Sequence, residues 1–336
     1  MKISVIGAGS WGIALAKLLY NNGNEITVWS ALEDEIVMLN KEREHKDKLP
    51  GVKLPDDMIF TTGLKEAMKD SKILVLAVPS PFVRNTAKNM AQFYESEQII
   101  VNVAKGIEEA TLSTMSQIIE EEIHGARVAV LSGPSHAEEV GRQIPTTIVV
   151  GAKMRETAEL VQNTFMSNVF RVYTSPDVLG IEIGAALKNV VALAAGIADG
   201  LGYGDNTKAA LITRGMAEIT RLGTAMGGHQ ETFYGLSGVG DLIVTCASMH
   251  SRNRRAGILI GKGYSMDEAM KEVKMVVEGV YSAKAAQKLS EKYNISMPIV
   301  EQVNKILFEG KSASDAVNEL MVRDKKIEIS STEWEE

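Results

Sequence analysis

Lys2-Ile3-Ser4-Val5-Ile6-Gly7-Ala8-Gly9-Ser10-Trp11-Gly12-Ile13-Ala14-Leu15-Ala16 is the stretch that decides the fold. Ile3–Ile6 has the apolar character of a buried strand, and a helical pattern, Ile13–Asn21, follows directly. Between them Gly7, Gly9 and Gly12 satisfy G-x-G-x-x-G. In that position the first glycine permits a tight turn and the second lets the backbone approach a pyrophosphate. The third lets helix and strand pack closely. The helix N-terminus then offers unpaired N–H groups and a positive dipole end to phosphates. Alone the motif is a weak signal; at the opening of a β-α-β unit it predicts dinucleotide binding.

Further β-rich runs follow at Glu25–Trp29, Ile73–Val78, Ile99–Val103, Val128–Leu131 and Thr147–Val150, with a last one at Val169–Tyr173. Several are nearly continuous apolar runs, as expected of strands buried on both faces of a parallel sheet. Helical stretches such as Leu64–Met68 and Leu112–Ile123 lie between them. This alternation predicts an α/β, Rossmann-like doubly wound sheet. After Pro176 the patterns turn helical: Val178–Ala198, Lys208–Met226, Met266–Glu278, Ala283–Tyr293 and Ile299–Glu309. The expected organisation is a dinucleotide-binding domain over residues 1–176 and an all-helical C-terminal substrate domain over 177–330. Gly200–Asn206 reads as a Gly-rich loop, and the tail from Ser330 to Glu336 as frayed.

The 336 residues are 45% apolar and 24% charged, which excludes a disordered, collagenous or disulfide-scaffold chain. Acids exceed bases by 43 to 36, a net charge of −7. That balance argues against nucleic acid or an anionic membrane as partner, while leaving room for a local basic pocket. Cys246 is the only cysteine, so no internal disulfide can form, as suits a reducing compartment. The longest apolar run, Val190 to Ala198, falls short of the ~18–20 residues of a membrane span, and no secretory h-region follows Met1-Lys2. A cytoplasmic protein without membrane insertion is expected. The five histidines show no metal-ligand spacing, so no metal is expected.

In open α/β sheets ligands bind beyond the carboxyl ends of the strands. Pro79-Ser80-Pro81-Phe82 follows one strand there, and Ala104-Lys105-Gly106 follows another, which aims Lys105 into the crevice. Ser132-Gly133-Pro134-Ser135-His136-Ala137 is a kinked loop rich in hydroxyls and free N–H groups, with His136 read as passive. Lys188-Asn189 sits inside an apolar helical pattern, where a lysine must either snorkel to the edge or find a partner. The glycines of Gly235–Gly240 are too dense for a helix interior and predict a specific turn holding Asp241. Ser251 reads as an N-cap, with Arg252 and Asn253 in the first turn, a ready phosphate site. The end of the second strand, Trp29-Ser30-Ala31-Leu32, carries no acid and no adjacent base. Glu33 and Asp34 just beyond either read a ribose or are first-turn helix acids, so NAD or NADP stays open with a lean to NAD.

In this order the pieces resemble NAD(P)-dependent glycerol-3-phosphate dehydrogenase of the bacterial type, from Gly7 to about Asn318. The motifs that carry the resemblance are Gly7-x-Gly9-Ser10-Trp11-Gly12, Val103-Ala104-Lys105-Gly106, Ser132-Gly133-Pro134-Ser135-x-Ala137 and Glu182-x-x-x-Ala186-Leu187-Lys188-Asn189. Gly235-Leu236-Ser237-Gly238-x-Gly240-Asp241-Leu242, Ser251-Arg252-Asn253 and Val277-Glu278-Gly279 complete it. The resemblance implies interconversion of dihydroxyacetone phosphate and sn-glycerol 3-phosphate with NAD(P)(H), feeding glycerophospholipid synthesis. It implies cofactor contacts at Gly7, Gly9, Ser10, Trp11, Gly12, Lys105, Ala137, Arg252, Val276 and Glu278. It implies a substrate shell of Lys105, Gly133, Ser135, Lys188, Asn189, Asp241, Thr245, Ser251, Arg252 and Asn253. Lys188 takes the place of the proton donor, with Lys105 and Asp241 as its catalytic partners.

The chain departs from the family where a basic or imidazole residue is usual at Ala31 and an aromatic near Lys48, both at the adenosine end. Two rival readings remain: another two-domain NAD-dependent hydroxyacid or hydroxyacyl dehydrogenase, and a nicotinamide-sensing protein without turnover. The Lys105, Lys188 and Asp241 set disfavours the sensor. A homodimer is expected because two-fold pairs are the commonest assembly.

Overall fold

The computed structural model describes residues 1–325, 327 and 328, so the expected frayed tail from Ser330 lies outside the described residues. Strands β1 (Lys2–Ile6), β2 (Glu25–Trp29), β3 (Ile59–Thr61), β4 (Ile73–Leu76), β5 (Ile99–Asn102), β6 (Arg127–Ser132), β7 (Thr146–Ala152) and β8 (Phe170–Ser175) form one sheet among the described residues. Helices α1 (Ser10–Asn21), α2 (Glu33–Glu42), α3 (Leu64–Met68), α4 (Val83–Ala91), α5 (Met115–Glu122), α6 (Ala137–Gly141) and α7 (Arg155–Phe165) connect them. Beyond β8 come α8 (Val178–Gly200), α9 (Asp205–Ala225), α10 (Gln230–Phe233), α11 (Asp241–Ala247), α12 (Arg252–Gly261), α13 (Met266–Val273), α14 (Glu278–Lys292), α15 (Pro298–Phe308) and α16 (Ala313–Met321).

The strand order is β3-β2-β1-β4-β5-β6-β7-β8, so the chain reverses direction across the sheet between β1 and β4. That switch point opens a crevice at the strands' carboxyl ends. Apolar side chains cover both sheet faces. A third core fills the helical part around α8. By length and composition α8 could cross a membrane, with a mean hydropathy of 1.7, but 83% of that window is packed inside the protein.

Four expectations are corrected. The sheet is not all parallel: β7 pairs antiparallel to β6, with Ser132 opposite Val149. The chain between them is spent on the pocket loop and on α6, which packs on α1, so β7 re-enters the sheet from the end where β6 leaves it. The stretch Gly235–Thr245 is not a plain turn. A π-helical turn over Leu236–Gly240 runs straight into α11. Its glycines serve close approach, since a Cβ on Gly238 would lie 1.9 Å from the Phe233 carbonyl oxygen. Met266–Glu278 is not one helix either. Lys274 adopts φ +59° and ends α13, and α14 starts afresh at Glu278. The Gly-rich loop is shorter than expected, because α9 already begins at Asp205.

Candidate active site

The glycine turn works as its spacing predicts. Gly7 has φ +123°, and a Cβ there would sit 2.8 Å from the Ala77 backbone of the neighbouring strand end. A Cβ on Gly12 would lie 2.0 Å from the Gly7 carbonyl oxygen, so α1 packs hard against the turn. Around Gly9 there is open space. The backbone is therefore tight where helix and strand meet and free where a pyrophosphate would approach α1. The buried indole N–H of Trp11 also has no partner within the protein, an unmet donor beside that space.

From this turn a cleft of about 1000 Å³ runs between the sheet and the helical part. Its walls hold Gly7, Gly9, Ser10, Trp11, Lys105, Ser135, Ala137, Lys188, Asn189, Asp241, Thr245, Ser251, Arg252, Asn253, Val276 and Glu278. Two expected residues are set back from the wall. Gly12 is behind the turn, and Gly133 reaches the site only through its carbonyl, which accepts from Lys105 Nζ at 3.1 Å.

At the centre lies Asp241, 2% exposed, between two lysines. Its Oδ1 is 2.8 Å from Lys188 Nζ, and its Oδ2 accepts from Lys105 Nζ at 2.6 Å. Lys188, 5% exposed, also donates to Thr245 Oγ1 at 2.8 Å, and Thr245 donates to the Asp241 carbonyl at 2.6 Å. So the lysine does not snorkel; it is buried and paired. Burial lowers its ammonium to about 8, against the pull of Asp241 and with help from Lys105. Burial would raise the Asp241 carboxyl, but the two ammonium groups outweigh it and hold it below the ordinary range. A buried lysine that titrates near neutrality is a competent proton donor.

The helices bring these groups together by direct backbone packing. A Cβ on Gly257 of α12 would meet the Leu193 carbonyl oxygen of α8 at 2.2 Å, and one on Gly196 of α8 would meet that of Arg254 at 2.1 Å. This contact sets the start of α12 beside the middle of α8. Asn253 Nδ2 donates to Asn189 Oδ1 at 2.9 Å, and Asn253 Oδ1 accepts from Gly279 N at 2.8 Å. Ser251 caps α12 as expected, accepting from Arg254 N at 3.2 Å. Among the described residues no carboxylate lies within ion-pair distance of the Arg252 guanidinium, so its donors stay uncommitted.

Sequence reading missed several supports. Glu182, six residues before Lys188 on α8, is buried and accepts from Ser116 N at 2.9 Å and Asn102 Nδ2 at 3.3 Å. Asn102 in turn accepts from Ala104 N at 3.1 Å, next to Lys105. One carboxylate thus ties the helix of one lysine to the loop of the other. Glu278 accepts from Ser80 N at 3.1 Å and from the Ser80 hydroxyl, closing the cleft at the Pro79–Phe82 loop; burial raises its carboxyl. His136 lines the cleft near Lys188. Burial and then Lys188 lower it, its Nε2 has no partner, and its ring stands 5.7 Å from that of His250. Glu33 and Asp34 are exposed first-turn residues of α2; Glu35 and Lys48 line the cleft instead.

A family model described as the N-terminus of NAD-dependent glycerol-3-phosphate dehydrogenase matches residues 2–158, and its C-terminal counterpart matches residues 177–318. The chain belongs to this family. It is 65% identical over 333 residues to the glycerol-3-phosphate dehydrogenase [NAD(P)+] of Agathobacter rectalis, covering 99% of each chain. It is 52% identical to the protein of that name from Bacillus subtilis, over 98% of this chain and 96% of the other. The crystal structure of glycerol-3-phosphate dehydrogenase from Coxiella burnetii superposes with a TM-score of 0.93 at 34% identity, covering 96% of this chain and 99% of that one. A D-mandelate dehydrogenase, 14% identical with a TM-score of 0.65, shares the fold alone.

Proposed function

We propose that the chain interconverts dihydroxyacetone phosphate and sn-glycerol 3-phosphate with NAD(P)(H), and so supplies glycerol 3-phosphate for glycerophospholipid synthesis. One observation carries this reading: the Lys188 ammonium lies buried on Asp241, while an uncommitted guanidinium, Arg252, is tied beside it through the Asn189–Asn253 hydrogen bond. A reduced nicotinamide, when bound, would supply the hydride, and Gly7, Gly9, Ser10 and Trp11, which line the cleft at the N-terminus of α1, would hold it. Lys188 gives its Nζ proton to the ketone oxygen as negative charge develops there. Lys105, on the other oxygen of Asp241, adds positive field beside the reacting oxygen. Asp241 orients both ammonium heads. Arg252 and the first N–H groups of α12 take the substrate phosphate. A cytoplasmic location and a two-fold homodimer belong to the same proposal.

Arg252 provides the test. Truncating one partner of a buried charged contact costs about 2–5 kcal/mol, or roughly 30- to 5000-fold. Arg252→Ala is expected to raise KM for dihydroxyacetone phosphate by that order and to change KM for unphosphorylated dihydroxyacetone about twofold at most. Steady-state kinetics on both ketones decide it. Equal effects on the two would take Arg252 out of this role.

A further inference from the structure

At the outer rim of the cleft one carboxylate is held in a fixed position. Glu35, in the first turn of α2, is buried and lines the cleft with Ser30, Ala31, Leu32 and Lys48. Its Oε2 accepts from the Ser30 hydroxyl at 2.7 Å. Its Oε1 takes the Lys48 ammonium and faces His45 Nε2 at 3.5 Å. His45 Nδ1 accepts the Lys48 backbone N–H at 3.3 Å, which places the ring proton on Nε2, toward Glu35. Burial would raise the carboxyl, but the hydrogen bonds from His45, Lys48 and Ser30 bring it down to about 2. A carboxylate has about four acceptor sites. Two partners use Oε1 and one uses Oε2, so among the described residues one acceptor site on Oε2 has no partner.

The end of β2, beside the glycine turn, is where this architecture seats the adenosine ribose. We infer that Glu35 reads the 2′ position of that ribose and makes the protein prefer NADH to NADPH. The inference rests on the dinucleotide-dependent reading above. A 2′-hydroxyl donates to the open site on Oε2. A 2′-phosphate instead brings about two negative charges against a fixed carboxylate, with Glu33 and Asp34 in the same turn. Ala31 and Leu32 offer no cation, and the Lys48 ammonium is already committed to Glu35.

The test is the Kd of each nucleotide for the full chain, by tryptophan fluorescence titration, with Tm recorded for every variant. The unaltered protein is expected to bind NADH about tenfold or more tighter than NADPH, the scale of one like-charge contact near a protein surface. Glu35→Gln frees Lys48 for the phosphate and is expected to bring the two Kd values within about threefold. Adding Lys48→Ala to it is expected to undo that gain. Ala31→Arg, at an exposed position outside the Glu35 network, is expected to tighten NADPH about tenfold and leave NADH unchanged, whatever the stability of the Glu35 variant. Equal or tighter NADPH binding by the unaltered protein, or an unchanged NADH-to-NADPH ratio in both Glu35→Gln and Ala31→Arg, overturns the inference and leaves the dehydrogenase reading standing. A folded protein that binds neither nucleotide overturns both.

Discussion

Lys188→Ala is expected to lower kcat for reduction of dihydroxyacetone phosphate by ~10²–10⁴-fold, the usual contribution of a positioned general acid, while NADH still binds. The lysine is buried in α8 and lines the cleft. Lys105 is held on the far oxygen of Asp241 by its own bonds to that carboxylate and to the Gly133 carbonyl. The fold should survive, because Asp241 keeps Lys105 as its partner. The pH dependence follows from the same group. Reduction needs the protonated amine, so with the ammonium at about 8 the rate is full below that pH and falls as pH rises through it. Oxidation of glycerol 3-phosphate needs the free amine and rises through the same range. Near-normal turnover of Lys188→Ala, or a reduction rate that climbs between about pH 7 and 9, would remove Lys188 from the role.

Asp241→Asn keeps the shape of the side chain and removes its charge. Asp241 is the main influence raising the Lys188 ammonium, so its loss lowers that group further. At neutral pH a smaller share of the lysine would then carry its proton, and Asp241 would no longer orient it, so kcat is expected to fall by ~10²–10³-fold. The fall of the reduction rate with pH should move from near 8 to lower values, and acidification should recover part of the activity. The substitution also removes the counter-charge that holds Lys105 and Lys188. Breaking such a buried pair costs about 3–5 kcal/mol, so a lower Tm is expected as well. The pH profile separates the two effects: a purely structural Asp241 would lower Tm and leave the midpoint of the profile where it was.

Much of the site could be read from local sequence because its parts are local. The glycine turn, the strand ends that carry Lys105 and the serine loop, and the Ser251 cap each lie within a few consecutive residues. Their chemistry depends on backbone geometry that spacing encodes. The antiparallel β7 was not legible, because its pairing depends on where α6 docks rather than on the run Thr147–Val150 itself. Strand β3, Ile59–Thr61, is too short to show a period. In Met266–Glu278 the apolar spacing continues past Lys274, whose left-handed backbone ends the helix. The Glu182–Asn102 tie joins segments 80 residues apart, and the Glu35–Lys48–His45 cluster forms only because the irregular chain after α2 folds back on that helix. No periodicity marks such partners. Gly235–Gly240 misled for the opposite reason: glycine density breaks an isolated helix, yet here it admits the neighbouring backbone.

The most direct test of the central claim is the loss of reduced-nicotinamide absorbance on adding dihydroxyacetone phosphate, run beside unphosphorylated dihydroxyacetone. The account predicts rapid oxidation with the phosphorylated ketone and far slower oxidation with the other. Tight NADH binding with no oxidation by either ketone would contradict it, and would leave a nicotinamide-binding protein whose Lys105, Asp241 and Lys188 serve something other than this reduction.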